Sequence, residues 1–112
     1  MKESDVQNSI CEYLETRRRC FFRLNNIPAF NKNAGGGITM RRLPKYTPKG
    51  LPDIVVVAGG LFYALEVKKP DSVDSKKTYQ SKDQKEFQAL VEKHGGKYFV
   101  VRSIDDVQAI GL

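Results

Sequence analysis

The chain has 112 residues, 40% of them apolar and 29% charged, which are the proportions of a single soluble globular domain spanning residues 1–112. No stretch approaches the roughly 18 consecutive apolar residues of a membrane span, and the opening MKESDVQNSI is too polar for a secretory leader, so a cytoplasmic protein away from membranes is expected. The net charge of +6 is unevenly placed: no acidic residue lies between Glu15 and Asp53, where Arg17, Arg18, Arg19, Arg23, Lys32, Arg41, Arg42, Lys45 and Lys49 carry +9, leaving −3 for the rest. Such a one-sided field suits a polyanion such as a nucleic acid, because phosphate neutralisation dominates that kind of affinity. Solubility, or an acidic protein partner, is the plainer explanation.

Ser4-Asp5-Val6-Gln7 has the pattern of a capping box, with Ser4 capping and Gln7 reaching back. Val6, Ile10, Tyr13 and Leu14 follow at helical spacing, so an amphipathic helix over residues 4–18 is expected. Cys11 and Cys20 form neither a disulfide framework nor a zinc-ligand spacing and read as reduced thiols. Cys20 to Leu24 is a short strand candidate. Residues 25–50, with Gly35-Gly36-Gly37, three prolines and several basic side chains, read as one long loop. Asp53 to Ala58 and Leu61 to Lys69 are β-rich runs around Gly59-Gly60, a hairpin signal, and both of their faces are apolar enough to be covered. Residues 70–79 are polar and expected to be exposed. Ser81-Lys82-Asp83-Gln84 is a second capping box, opening a helix through Phe87, Leu90 and Val91 that stops near His94 and Gly95-Gly96. Tyr98 to Arg102 is another strand, and Ser103 with Asp106 starts a short last helix. The order αβββαβα describes an α/β sandwich around a mixed sheet.

The Gly59-Gly60 turn implies a register. With Ala58 facing Leu61, counting outward along both strands brings Asp53 opposite Glu66, with Cβ atoms roughly 4.5–5.5 Å apart. Lys68, two residues after Glu66, falls on the same face. A single β-bulge would shift this pairing. Two facing carboxylates raise each other's pKa, and a divalent cation relieves the conflict. Mg²⁺ accepts one or two carboxylates and completes its shell with water and phosphate, and Mn²⁺ takes the same ligands. Such a metal activates water and polarises a phosphate, while Lys68 orients or deprotonates the water or offsets transition-state charge. A cross-strand ion cluster, with Lys68 simply neutralising Glu66, fits the same spacing.

Pro52-Asp53, twelve intervening residues and then Glu66-Val67-Lys68 resemble the signature of the PD-(D/E)XK nuclease superfamily. Four further stretches are similar to its VRR-NUC subgroup, in the small stand-alone viral or bacterial form that is like Holliday-junction resolvases. They are Phe22-Arg23-Leu24-Asn25-Asn26 ahead of the glycine-rich loop, Lys49-Gly50-Leu51-Pro52-Asp53, Ser81-Lys82-Asp83-Gln84, and Val101-Arg102. Ser103 departs from the pattern, standing where the subgroup has its second arginine. The resemblance implies a restriction-endonuclease-like sandwich and a Mg²⁺- or Mn²⁺-dependent endonuclease that hydrolyses DNA phosphodiester bonds. It implies Asp53, Glu66 and the backbone carbonyl of Val67 as metal ligands and Lys68 as the catalytic lysine. Gln84 would position the lysine or the water, a use that competes with capping its own helix. Glu3 is the best placed additional ligand, with Glu12 as the fallback, although an acid at a helix start is favourable anyway.

Arg23, Asn25, Arg41, Arg42, Lys45, Lys49 and Arg102 would contact DNA phosphates, which position a duplex without reading its sequence. A flexible solvated loop and an ion-paired Arg102 are the ordinary alternatives. Phe30 and Tyr46 are expected to pack rather than stack on bases. Cutting two strands symmetrically needs two sites, so the resemblance implies a homodimer acting on branched or structured DNA, inside a bacterial or virus-infected cell. An inactive basic nucleic-acid-binding module, a nuclease acting on RNA and a domain binding an acidic protein are the rival readings.

Overall fold

The computed structural model describes residues 2–24, 30–32, 38–40, 45–70 and 80–112. Helix α1 (Glu3–Thr16) starts earlier than its sequence pattern predicts: Lys2 rather than Ser4 is the capping position, and its backbone N–H donates to Asp5 Oδ2 at 3.0 Å. An ionised carboxylate accepts this bond more strongly than a neutral amide does and is favoured by the helix dipole, so Asp5 rather than Gln7 sets the start. The helix closes on Arg18 in a left-handed conformation (φ 56°), with Arg19 N–H donating to the Leu14 carbonyl at 3.0 Å. Arg17 Nε and Arg19 Nε then donate to the Leu112 carbonyl at 3.1 and 3.2 Å. Two arginines of the basic interval therefore tie helix α1 to residue 112.

Strand β1 (Cys20–Arg23) is followed by β2 (Phe30–Lys32) and β3 (Ile38–Met40), which pair antiparallel with Asn31 facing Thr39. This strand pair falls in the interval expected to be loop throughout, and two three-residue strands are too short to show an alternation. Strands β4 (Ile54–Ala58) and β5 (Leu61–Val67), helix α2 (Lys82–Lys93), β6 (Lys97–Val101) and helix α3 (Ile104–Ala109) complete the described elements. The main sheet has the order β1-β4-β5-β6, antiparallel except for the parallel β5–β6 pair, so it is mixed as expected. The element order gains two strands over αβββαβα.

Strand alternation divides the sheet cleanly. Ile54, Val56, Leu65, Val67 and Val101 pack with Val6, Ile10, Leu14 and Val107, so helices α1 and α3 cover one face. On the other face Phe87 of α2 meets the Tyr98 ring edge-on at 6.4 Å. Burial of Ile54 to Val56 and of Ala64 to Val67 without alternation is the consequence of this double cover. Among the described residues no helix is long and apolar enough to cross a membrane.

Candidate active site

The hairpin register runs from Ala58 facing Leu61 to Ile54 facing Leu65, as the two-glycine turn implies. At Asp53 the ladder changes. The Asp53 N–H donates to the Leu65 carbonyl of β5 at 3.1 Å, while its own carbonyl accepts from Leu24, after β1, at 2.9 Å. In a plain strand both groups of a residue point to the same neighbour, so Asp53 steps out of the ladder as a bulge does. The simple cross-strand pair drawn from the count is corrected accordingly. Freed from the ladder, Asp53 turns its carboxylate back on β5, where Oδ2 accepts the Val67 N–H at 2.8 Å. A strand residue's N–H and C=O share a side, so the Val67 carbonyl also faces the Asp53 end of β4. Pro52, buried and without an N–H, precedes this turn.

Glu66 is the buried acid of the site, with 4% of its surface exposed. Gln84 Nε2 donates to its Oε1 at 2.9 Å, and Lys68 Nζ stands 3.6 Å from the same oxygen. Glu66 Oε2 is buried and has no hydrogen-bond donor among the described residues. Burial pushes the Glu66 carboxyl up to about 7, with the Asp53 charge adding to the effect and Lys68 opposing it. Burial also raises Asp53, against the lowering influence of the Val67 amide. The two carboxyl groups are close enough to share a proton. A proton or a cation is what satisfies this arrangement, and the donor set of two carboxylate groups with an adjacent carbonyl suits a hard divalent ion. Among the described residues no group of three or more His, Cys, Asp or Glu side chains forms a metal cluster.

Gln84 resolves the competition expected for it. Its Oε1 accepts the Ser81 N–H at 3.0 Å, completing the capping box, while its Nε2 reaches Glu66. One primary amide has an acceptor end and a donor end, so both uses coexist.

The remaining candidates are dispersed. Glu3 opens α1, and its charge is near enough to raise Glu66 further, but it forms no three-acid cluster with the pair. Glu12 is exposed farther along α1. Arg23 lies at the end of β1, donates to Asn8 Oδ1 at 2.8 Å, and its charge lowers Asp53. Lys45 and Lys49 are exposed on the segment leading into β4. Arg102 lines a cavity of about 330 Å³ with Val6, Ser9 and Ile104, between α1 and the start of α3. Its Nε is buried without a hydrogen-bond partner among the described residues. Ser103, the departure from the subgroup pattern, caps α3 by accepting the Asp106 N–H at 3.2 Å. Asn25, Arg41 and Arg42 lie outside the described residues, as does the side chain of Phe30.

Three residues of the site escape a sequence reading. Tyr98 pairs with Ala64 on the Glu66 face, and burial, followed by the Glu66 charge, pushes its hydroxyl up to about 12. Gln80 lies beside it, yet neither Gln80 Nε2 nor the Tyr98 hydroxyl makes a hydrogen bond among the described residues. Gly50 has φ +75°, and a Cβ placed on it would lie 2.4 Å from the Asp83 carbonyl carbon and 2.6 Å from the Gln84 nitrogen. The segment before Asp53 is therefore pressed backbone to backbone against the first turn of α2. Only the glycine in Lys49-Gly50-Leu51-Pro52 hints at that contact.

No protein-family model matches the sequence, and no curated protein matches it. Among solved structures, one described as a VRR_NUC domain superposes with a TM-score of 0.60 at 22% identity, covering 96% of this chain and 91% of that chain. At that identity the likeness is one of fold. The chain has the restriction-endonuclease-like architecture of the family its motifs resemble.

Proposed function

We propose that this chain, sharing its fold with a VRR_NUC domain, is a Mg²⁺- or Mn²⁺-dependent endonuclease that hydrolyses DNA phosphodiester bonds. The observation that carries the reading is Glu66 Oε2, a buried carboxylate oxygen with no donor among the described residues, facing a second carboxylate at the end of a bulged strand. A structural ion cluster has no reason to keep such an atom, since an apolar pair would be cheaper to bury. Asp53, Glu66 and the Val67 carbonyl would hold the cation, which when bound supplies Lewis acidity toward water and the phosphate. Lys68, held against Glu66 Oε1, places an ammonium at the mouth of the pair, where it orients the attacking water and offsets charge developing on the phosphate. Gln84 holds Glu66 Oε1 in place and leaves Oε2 to the cation. Arg23, Lys45 and Lys49, with Asn25, Arg41 and Arg42, supply contacts to the DNA backbone. Arg102 would do so only by leaving its cavity. A homodimer acting on branched DNA inside the cell follows from the need for two sites, one per strand.

The test is cleavage of linear duplex, single-stranded, flap and four-way-junction DNA, and of RNA, with Mg²⁺, Mn²⁺ or EDTA. Metal-dependent cleavage is expected, reduced about 10²–10³-fold or more in Asp53→Ala and Lys68→Ala. Cleavage that survives in EDTA, or in both variants, overturns the mechanism. Tight, salt-sensitive binding without cleavage favours the inactive binding module. Elution as a monomer at micromolar concentration overturns the dimer.

Gln84→Ala removes a cap acceptor and a Glu66 partner together. A stability loss of about 1 kcal/mol and a roughly tenfold fall in cleavage are expected, read by thermal melting and single-turnover rates. Full activity in a destabilised variant would reduce Gln84 to a helix cap.

A further inference from the structure

We propose that Tyr46 is a stacking platform for an unpaired base of the DNA substrate, with Lys45 and Lys49 on the flanking phosphates; the inference rests on the nuclease reading above. The ring expected to pack is instead 89% exposed, more than any other large apolar or aromatic side chain among the described residues. Its backbone has φ 70°, a left-handed conformation that a bulky residue rarely adopts and that concentrates at binding and catalytic sites. Arg18, the other described non-glycine residue with positive φ, owes it to closure of helix α1, whereas Tyr46 stands in a turn at residues 45–46.

The ring is also prepared for a flat, electron-poor partner. Lys45 Nζ sits 5.1 Å from the ring centroid, so one face already carries a cation. Base stacking on an aromatic ring outweighs a solvent-exposed cation–π contact. An arriving base therefore displaces the ammonium and releases it to a phosphate, and the exchange couples stacking to charge neutralisation.

Position links this platform to the carboxylates. Pro48 and Lys49 line a cavity of about 310 Å³ with Phe87 and Leu90 of α2, and Gly50 abuts Asp83 and Gln84, which in turn holds Glu66. The seven peptide steps from Tyr46 to Asp53 reach at most roughly 25 Å, within the span of a few nucleotides of the cleaved bond. Stacking requires a base whose face is free, so the platform serves single-stranded or forked DNA and adds nothing to binding of intact duplex.

Binding is measured in EDTA, without cleavage, by anisotropy of labelled single-stranded, forked and blunt duplex DNA, for the wild type, Tyr46→Ala and Tyr46→Phe. Tyr46→Ala is expected to bind single-stranded and forked DNA about tenfold more weakly and duplex within about twofold of wild type, with Tyr46→Phe retaining affinity. Because the ring is exposed, the melting temperature should not change. Tyr46→Trp places a tryptophan in a chain that has none, and its emission should be quenched by single-stranded DNA but not by duplex. Unchanged single-strand affinity in Tyr46→Ala, equal losses on single strand and duplex, or an unquenched tryptophan each overturn the platform. A wild type that binds and cleaves DNA alongside any of these keeps the nuclease reading, whereas a wild type that binds no DNA overturns both.

Discussion

Glu66→Gln should produce a protein that is more stable than the wild type at neutral pH and close to inactive. The folded Glu66 carboxyl titrates near 7, against 4.5 in an unfolded chain, because it is buried and faces Asp53. The folded state therefore binds the proton more tightly between those values. The stability this contributes is fully present below about pH 4.5 and is lost as pH rises through 7. Asp53 is raised too and acts in the same direction. The loss is on the order of 3 kcal/mol, or roughly 10 °C or more in melting temperature for a domain of this size. Glutamine keeps the Oε1 acceptor for Gln84 and removes the charge, at the cost of the Lys68 ion pair, which offsets part of the gain. Melting in EDTA from pH 5 to 8 should then show a falling curve for the wild type and a flatter one for the variant. Millimolar Mg²⁺ at pH 8 should restore the wild type selectively, since binding to the folded state alone stabilises it. Parallel curves for the two proteins would remove the electrostatic conflict from the account of this site. Stability and activity of opposite sign at one atom are the mark of a group kept for chemistry.

Gly50→Ala is the second large effect. A methyl group there meets the Asp83 carbonyl carbon, the Asp83 oxygen and the Gln84 nitrogen at 2.4, 2.5 and 2.6 Å, and none of these backbone atoms can rotate away. Overpacking of this kind costs about 1–3 kcal/mol, and a left-handed alanine adds roughly 1–2 kcal/mol. The first turn of α2 must move, and it carries Gln84 away from Glu66, so cleavage should fall below that of Gln84→Ala. Gly60→Ala is the matched control: its φ is +80°, but nothing lies within 4 Å, so it pays the conformational strain alone. Gly60→Ala should keep wild-type cleavage and lose only the smaller increment of stability. Equal melting temperatures and rates for the two variants would show that the close approach of Gly50 to α2 has no role.

Much of the site is legible in the sequence because it is local. A two-residue glycine turn and a side-chain period of two place Glu66 and Lys68 on one face and bring Asp53 to the far end of the neighbouring strand. The bulge at Asp53 was not legible, since it depends on β1 and β5 competing for one residue's backbone groups. The dual role of Gln84 was half legible: the capping box is written in four residues, but the bond to Glu66 crosses 18 positions. Arg17 and Arg19 of the basic interval find carbonyls more than 90 residues away, which no local pattern could show. The β2–β3 pair was hidden by its shortness.

Turn geometry and pleat act over a few residues, so the strand pair and its register as far as Ile54 facing Leu65 are written in the sequence. The docking of distant elements settles that Glu66 is buried with one oxygen lacking a donor among the described residues, that Gly50 abuts the first turn of α2, and that Tyr46 stands in solvent. Each of these depends on which surfaces are covered, and covering a surface requires elements distant in the chain to dock.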